Sequence, residues 1–135
     1  MPELSQLVCD RLSADTIGWL TTVSPSGRPS PRPIWFLWDG DRCVIYSQPE
    51  AAKLKHIAAN DRVSLHLNSD PDGGSVVVVA GRARVLPDAP TADRWPGLLD
   101  KYADVLVRIG MSAEHFVSTY SVALEVVPER AWTLD

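Results

Sequence analysis

Prolines stand at positions 29, 31 and 33. A proline has no N–H to give to a sheet ladder, so within sheets it is confined to edges, strand starts and bulges. Alternate residues of a strand turn their N–H groups to the same side. If Pro29–Pro33 is extended, one of its sides is therefore unpaired, and the fold must present an edge there. The same run would also serve as an irregular lead-in to the aromatic stretch that follows it.

Around this segment the chain reads as short strands joined by turns. Leu4, Leu7, Val8 and Leu12 recur at helical spacing and predict a helix over Leu4–Leu12. Ile17–Val23 is rich in β-formers and precedes the turn signal Ser24-Pro25-Ser26-Gly27. Ile34–Trp38 reads as an aromatic strand, Asp39-Gly40-Asp41 as a turn, and Cys43–Ser47 as the third strand of an antiparallel meander. Ser47 and Glu50 have capping-box spacing, which predicts a helix over Pro49–Ala59. Val63–Leu67 alternates as a strand, and Asn68–Gly74 is a polar loop. Ser75–Leu86 is a long strand, with Gly81 where a bulge or close approach belongs. Thr91–Ile109 and Ser112–Thr119 read as helices, Tyr120–Val127 as the last strand, and Pro128 as the start of a tail containing Trp132. Six strands with short links predict an antiparallel barrel with helices packed outside it.

The 135 residues are enough for one domain that folds without a metal or disulfide. A net charge of -4 and a pI near 5.3 argue against a nucleic-acid binder, which needs a surplus of Lys and Arg. The longest apolar run, Val76–Ala80, is far short of a membrane span, and Met1-Pro2-Glu3 carries no leader pattern, so a cytoplasmic protein is expected. Cys9 and Cys43 have no metal-site spacing and read as reduced, partly buried thiols. His56, His66 and His115 lack zinc-site spacing, and no nucleophile elbow or P-loop occurs. No metal site and no self-sufficient catalytic set is expected.

Two groups of residues could carry chemistry. Lys53, Lys55, His56 and Arg62 form a basic cluster around one short helix. Lys53 lies four residues before Ile57, beside the buried face, and Arg32 opens the neighbouring strand. An anion held between an Arg and a Lys gains charge-assisted hydrogen bonds. On the residues alone, the solvated helix face is the favoured reading of this cluster. Secondly, alternation sends Trp35 and Leu37 to one side of their strand, and Ile34, Phe36 and Trp38 to the other. One side can fill a core while the other meets a partner or a flat ligand.

Arg32-Pro33-Ile34-Trp35-Phe36, Tyr46-Ser47, Ala52-Lys53 and Asn60-Asp61-Arg62-Val63-Ser64-Leu65 together resemble the pyridoxamine-phosphate-oxidase-like split β-barrel superfamily. The spacing from Tyr46 to Leu65 runs without a gap. The resemblance covers Ile17–Leu86 well and the C-terminal third loosely. Gly18-Trp19-Leu20-Thr21-Thr22 and Trp35–Gln48 are most similar to the small F420-dependent enzymes of that superfamily.

The resemblance implies a fold that is mainly β with α, a six-stranded antiparallel split β-barrel (the FMN-binding split barrel) with flanking helices. It implies a homodimer with two cofactor sites at the subunit interface, taking the deazaflavin F420 or, in sister groups, FMN. By position, Lys53 and Arg32 would hold the cofactor phosphate, and Pro33, Ile34 and Trp35 would lie along its ring. Tyr46 and Ser47 would meet its phosphate and ribityl chain, and Trp132 would close over the site of the partner chain.

Three departures qualify this. Leu37 replaces a lysine that true pyridoxamine-phosphate oxidases use with FMN, and the tail Pro128-Glu129-Arg130-Ala131-Trp132 lacks their substrate-binding Arg-x-His, which argues against vitamin B6 oxidation. Ala51 stands where some F420 relatives carry a basic residue. The expected activity is hydride transfer from reduced F420 to an electron-poor small molecule. The rival readings are an FMN oxidoreductase, or a non-catalytic carrier of flavin, deazaflavin or haem.

Overall fold

The computed structural model describes residues 3–134. Met1 and Pro2, read above as carrying no leader, lie outside the described residues. The described residues form seven strands: β1 (Gly18–Val23), β2 (Pro29–Ile34), β3 (Leu37–Trp38), β4 (Cys43–Ser47), β5 (Arg62–Leu67), β6 (Val76–Val85) and β7 (Val122–Leu134). The helices are α1 (Gln6–Ala14), α2 (Ala52–Ala59), α3 (Leu98–Ile109) and α4 (Ala113–Thr119), with a 3-10 turn at Ala92–Arg94.

The strands form one antiparallel sheet in the order β2-β1-β5-β6-β7-β4-β3. Its two edges, β2 and β3, are consecutive in the chain with only Trp35 and Phe36 between them. The sheet must therefore curl until its edges approach, and the gap is bridged covalently rather than by a ladder. This is a split β-barrel.

The prolines lie on the edge strand β2, opposite Val23, Thr21 and Trp19. These are the alternate pairs at which β2 would give its N–H outward, away from β1, so no ladder bond is lost. The expected aromatic strand Ile34–Trp38 does not exist as one element. It breaks at Trp35-Phe36, and its halves end on opposite edges of the sheet, so the first three expected strands are not a meander.

Side chains from α3 explain the break. The Phe36 N–H donates to the Tyr102 hydroxyl at 2.8 Å, and Tyr102 donates to the Thr16 carbonyl at 2.7 Å. The Lys101 ammonium donates to the Phe36 carbonyl at 2.8 Å and lies 3.9 Å over the Phe36 ring. The backbone of Phe36 is thus satisfied by a helix instead of a strand. The two-sided alternation holds regardless. Ile34, Phe36 and Trp38 join the barrel core with Leu12, Leu20 and Leu65, while Trp35 and Leu37 pack on the second cluster with Tyr102, Leu106 and Phe116. β4 lies between these clusters and is buried along its whole length.

Burial pushes the Lys101 amine down from 10.5 to about 8, against the opposing pull of Cys43 and Asp15. Below pH 8 the ammonium is charged in both folded and unfolded chains, so the whole burial cost is present. Between pH 8 and 10.5 the folded state sheds the proton first, so folding gains stability as pH rises. Denaturant melts of wild type and Lys101→Met are therefore expected to diverge in favour of wild type over that window. Parallel curves would show that Lys101 is not buried as described.

β7 runs past Pro128 to Leu134, where a tail was expected. The strand continues because the register shifts at Ala80/Gly81, so that Gly81 faces Pro128 and Ala80 faces Arg130. The bulge absorbs the missing N–H of Pro128. Within β7, Glu125 is 5% exposed. It accepts from Arg42 at 2.6 Å and Arg84 at 2.8 Å. Burial alone would raise its carboxyl, but the two guanidiniums hold it below the usual carboxylate value. Cys9 and Cys43 are both free thiols, and burial pushes Cys43 up to about 12.

Candidate functional site

The open side of the split barrel carries a groove with two lobes that share Pro33, Lys53 and Tyr120. One lobe, about 370 Å³, is lined by Leu20, Thr22, Ser30, Arg32, Gln48, Ala51 and Ala52 besides the shared residues. The other, about 200 Å³, is walled by Ile34, Trp35, Tyr46, Ile109, Met111 and Phe116. The first is polar and cationic, the second apolar and aromatic.

β2 presents Arg32 and α2 presents Lys53 to the charged lobe. Burial lowers the Lys53 amine, and the nearby positive charge of Arg32 lowers it further. Two cations held close together are mutually repelled, yet no carboxylate lines either lobe, and neither residue belongs to an ion pair among the described residues. Among the described residues the Arg32 guanidinium donates only to the neighbouring Pro31 carbonyl, at 2.7 Å. Such a pair is suited to an anion that supplies the missing negative charge.

The N-terminus of α2 opens into the same lobe. The expected capping box is absent. Ser47 is buried at the end of β4, donates to the Gln48 carbonyl at 2.9 Å, and makes no capping bond to the helix. Pro49 and Glu50 turn instead, and Ala51 becomes the N-cap with no side chain to offer. The first-turn N–H groups therefore lack a side-chain acceptor, and the helix dipole adds to the positive field of Lys53 and Arg32.

The aromatic lobe is walled by stacked rings. Trp35 stacks on Tyr102 with ring centroids 4.5 Å apart and planes within 5°. Phe116 lies 5.2 Å from Trp35 and 5.1 Å from Tyr120. Tyr46 offers its ring but not its hydroxyl, which donates to the Pro90 carbonyl at 2.7 Å.

Of the residues expected at a site, Arg32, Pro33, Ile34, Trp35, Tyr46 and Lys53 come together here. Ser47 and Trp132 do not line this groove. Trp132 is 58% exposed and lies with Val78, Ala80 and Arg130 on the face of β6 and β7 turned away from the buried Val77 and Val79. The site also contains residues the sequence reading missed. Tyr120, placed in the last strand, instead caps the C-terminus of α4 and borders both lobes. Its four-residue spacing from Phe116 was the available signal. Thr22 and Gln48 gave no signal of this kind. Among the described residues no group of three or more His, Cys, Asp or Glu could hold a metal ion, and no helix is long and apolar enough to cross a membrane.

The family model described as pyridoxamine 5'-phosphate oxidase matches residues 4–135. No curated protein matches the chain. Among solved structures, the chain is similar to an F420 reductase at 26% identity and TM-score 0.72, covering 98% of both chains. It is similar to a FAD-binding protein from Mesorhizobium loti at 23% identity and TM-score 0.68, over 95% of this chain and 92% of that one. A conserved hypothetical protein from Mycobacterium tuberculosis shares 19% identity at TM-score 0.75, over 98% and 86%. The last two likenesses are of fold alone.

Proposed function

The chain belongs to the pyridoxamine 5'-phosphate oxidase family, and from that premise we propose that it is an F420-dependent reductase acting on an electron-poor small molecule. One observation carries the reading: a single groove joins an anion-seeking lobe to a flat aromatic lobe, the two demands of a phosphate-bearing, deazaflavin-type cofactor. The similarity to the F420 reductase, at 26% identity, supports the choice of F420 over FMN.

Lys53 and Arg32 hold the phosphate, aided by the uncapped start of α2. Pro33, Ile34 and Trp35 lie along the ring, and the stack of Trp35 on Tyr102 keeps that wall in place. Ile109, Met111 and Phe116 exclude water from the far side. The bound group would supply the hydride chemistry, for which the protein needs only to orient and shield. We further propose a homodimer in which Trp132 and Leu134, 58% and 52% exposed, are covered by the second subunit.

Fluorescence titration of F420 and of FMN on one preparation tests the reading. Tighter binding of F420 is expected. Binding of FMN alone would replace the cofactor, and binding of neither would remove the function. Lys53→Ala is expected to weaken F420 binding by about 1.5–3 kcal/mol through loss of a charged hydrogen bond, while the melting temperature holds. Unchanged affinity would return Lys53 to the solvated helix face.

A further inference from the structure

The side chain of Thr22 is engaged behind the charged lobe. Thr22 is 1% exposed, lines that lobe, and its hydroxyl lies 2.8 Å from Nδ1 of His56 on α2. His56 follows Lys53 by three residues, so both lie on adjoining parts of one helix face. A threonine hydroxyl has one proton to donate. If Nδ1 is bare, Thr22 donates to His56 and shows the lobe only lone pairs, which repel an anion. If Nδ1 carries a proton, His56 donates to Thr22, and the Thr22 O–H is free to point into the lobe.

We propose that Thr22 and His56 form a proton-linked switch on the charged lobe, in which His56 takes up a proton when an oxyanion binds between Arg32 and Lys53. Both neutral tautomers are open to an imidazole, but only the protonated ring fixes the donor at Nδ1 and also adds positive charge. The linkage is reciprocal: protonation tightens anion binding, and anion binding favours protonation. His56 is thus a positioning residue, acting through Thr22. The groups around it agree. β1 contributes Thr22 and carries no charged residue. On β6 the charged residues Arg82 and Arg84 point outward and pair with Asp61, Glu129 and Glu125. The helix itself carries Lys53 and Lys55, and Arg32 faces Lys53 across the lobe. Thus no carboxylate on these elements is directed at His56 to hold its proton in advance, and the bound anion supplies that charge.

The inference rests on the lobe being an oxyanion site, and the test separates the two. Inorganic sulfate keeps its charge between about pH 5 and pH 8, the range in which histidines change theirs. Calorimetric titration of sulfate in two buffers of different ionisation heat, across that range, reads both affinity and proton uptake. Wild type is expected to bind about fivefold or more tightly at the acid end, with net proton uptake near neutrality. Thr22→Val and His56→Gln are expected to bind more weakly at the acid end and to flatten both. Their thermal melts confirm that they fold, and the wild-type proton count stands even if one does not. Sulfate binding without proton uptake, or uptake that survives both substitutions, overturns the switch and leaves the oxyanion lobe intact. No sulfate binding at any pH overturns the lobe, and the switch with it.

Discussion

Gly81→Ala is expected to destabilise the fold by about 3 kcal/mol or more, because the new methyl has nowhere to go. A Cβ at position 81 would collide with the Val127 carbonyl oxygen and stand 2.9 Å from its carbon. Both are backbone atoms, so no rotamer change relieves the contact. The β7 backbone must move, and with it the bulge that keeps β7 paired to β6 past Pro128. A fall in Tm on the order of 10 °C corresponds to this loss, and a thermal melt reads it directly. An unchanged melt would mean that β7 has freedom to slide at the bulge, and that the strand beyond Pro128 is not held by it. Gly81 lines neither lobe of the groove, so the affinity proposed for F420 should be retained in the folded fraction.

Tyr102→Phe is expected to cost about 2–4 kcal/mol, since it orphans a buried backbone donor and removes the donor to another carbonyl. The phenylalanine keeps the ring that stacks on Trp35, so the loss isolates the hydroxyl. That hydroxyl accepts from Phe36 N–H at 2.8 Å and donates to Thr16 at 2.7 Å, inside a residue with no exposed surface. These bonds tie α3 to the seam where the sheet ends meet. Denaturant unfolding measures the effect, and a cost under about 0.5 kcal/mol would show that water replaces the hydroxyl at the seam. The seam also carries the wall of the aromatic lobe, through Trp35. Weaker F420 binding by folded Tyr102→Phe would show that the lobe depends on the seam's geometry as well as on its rings.

The groove was legible in proportion to how locally its parts are arranged. Lys53 precedes Ile57 by one helical turn, so its place beside a buried face follows from the spacing alone. The prolines of β2 allowed an edge or an irregular lead-in, because proline lacks a donor in any fold, and the pairing with β1 shows the edge. The opposite sides of Trp35 and Phe36 follow from backbone alternation, which survives even though their strand breaks. Ser47 misled because its capping-box spacing is real, but a buried strand end turns its hydroxyl to Gln48 instead. Tyr120 was missed because its role comes from being the last residue of α4, over the waist between two lobes. The 3-10 turn at Ala92–Arg94, where one long helix was expected, is explained by Pro96 and Gly97, which end the helical run before α3 begins.

By itself the sequence determined the number and kind of elements to within one strand and the cationic character of α2, and it narrowed Pro29–Pro33 to an unpaired edge or an irregular lead-in and Gly81 to a bulge or a close approach. These depend on residues near one another in the chain, or on groups that proline and glycine lack outright. Only the tertiary structure decided that the aromatic segment splits into two sheet edges, because the partners of the Phe36 backbone, Tyr102 and Lys101, lie more than sixty residues away. It also decided that Arg32, Lys53 and Thr22, from three elements, line one cavity free of carboxylates. Which charges share a cavity depends on how the sheet curls, and no spacing along the chain contains that.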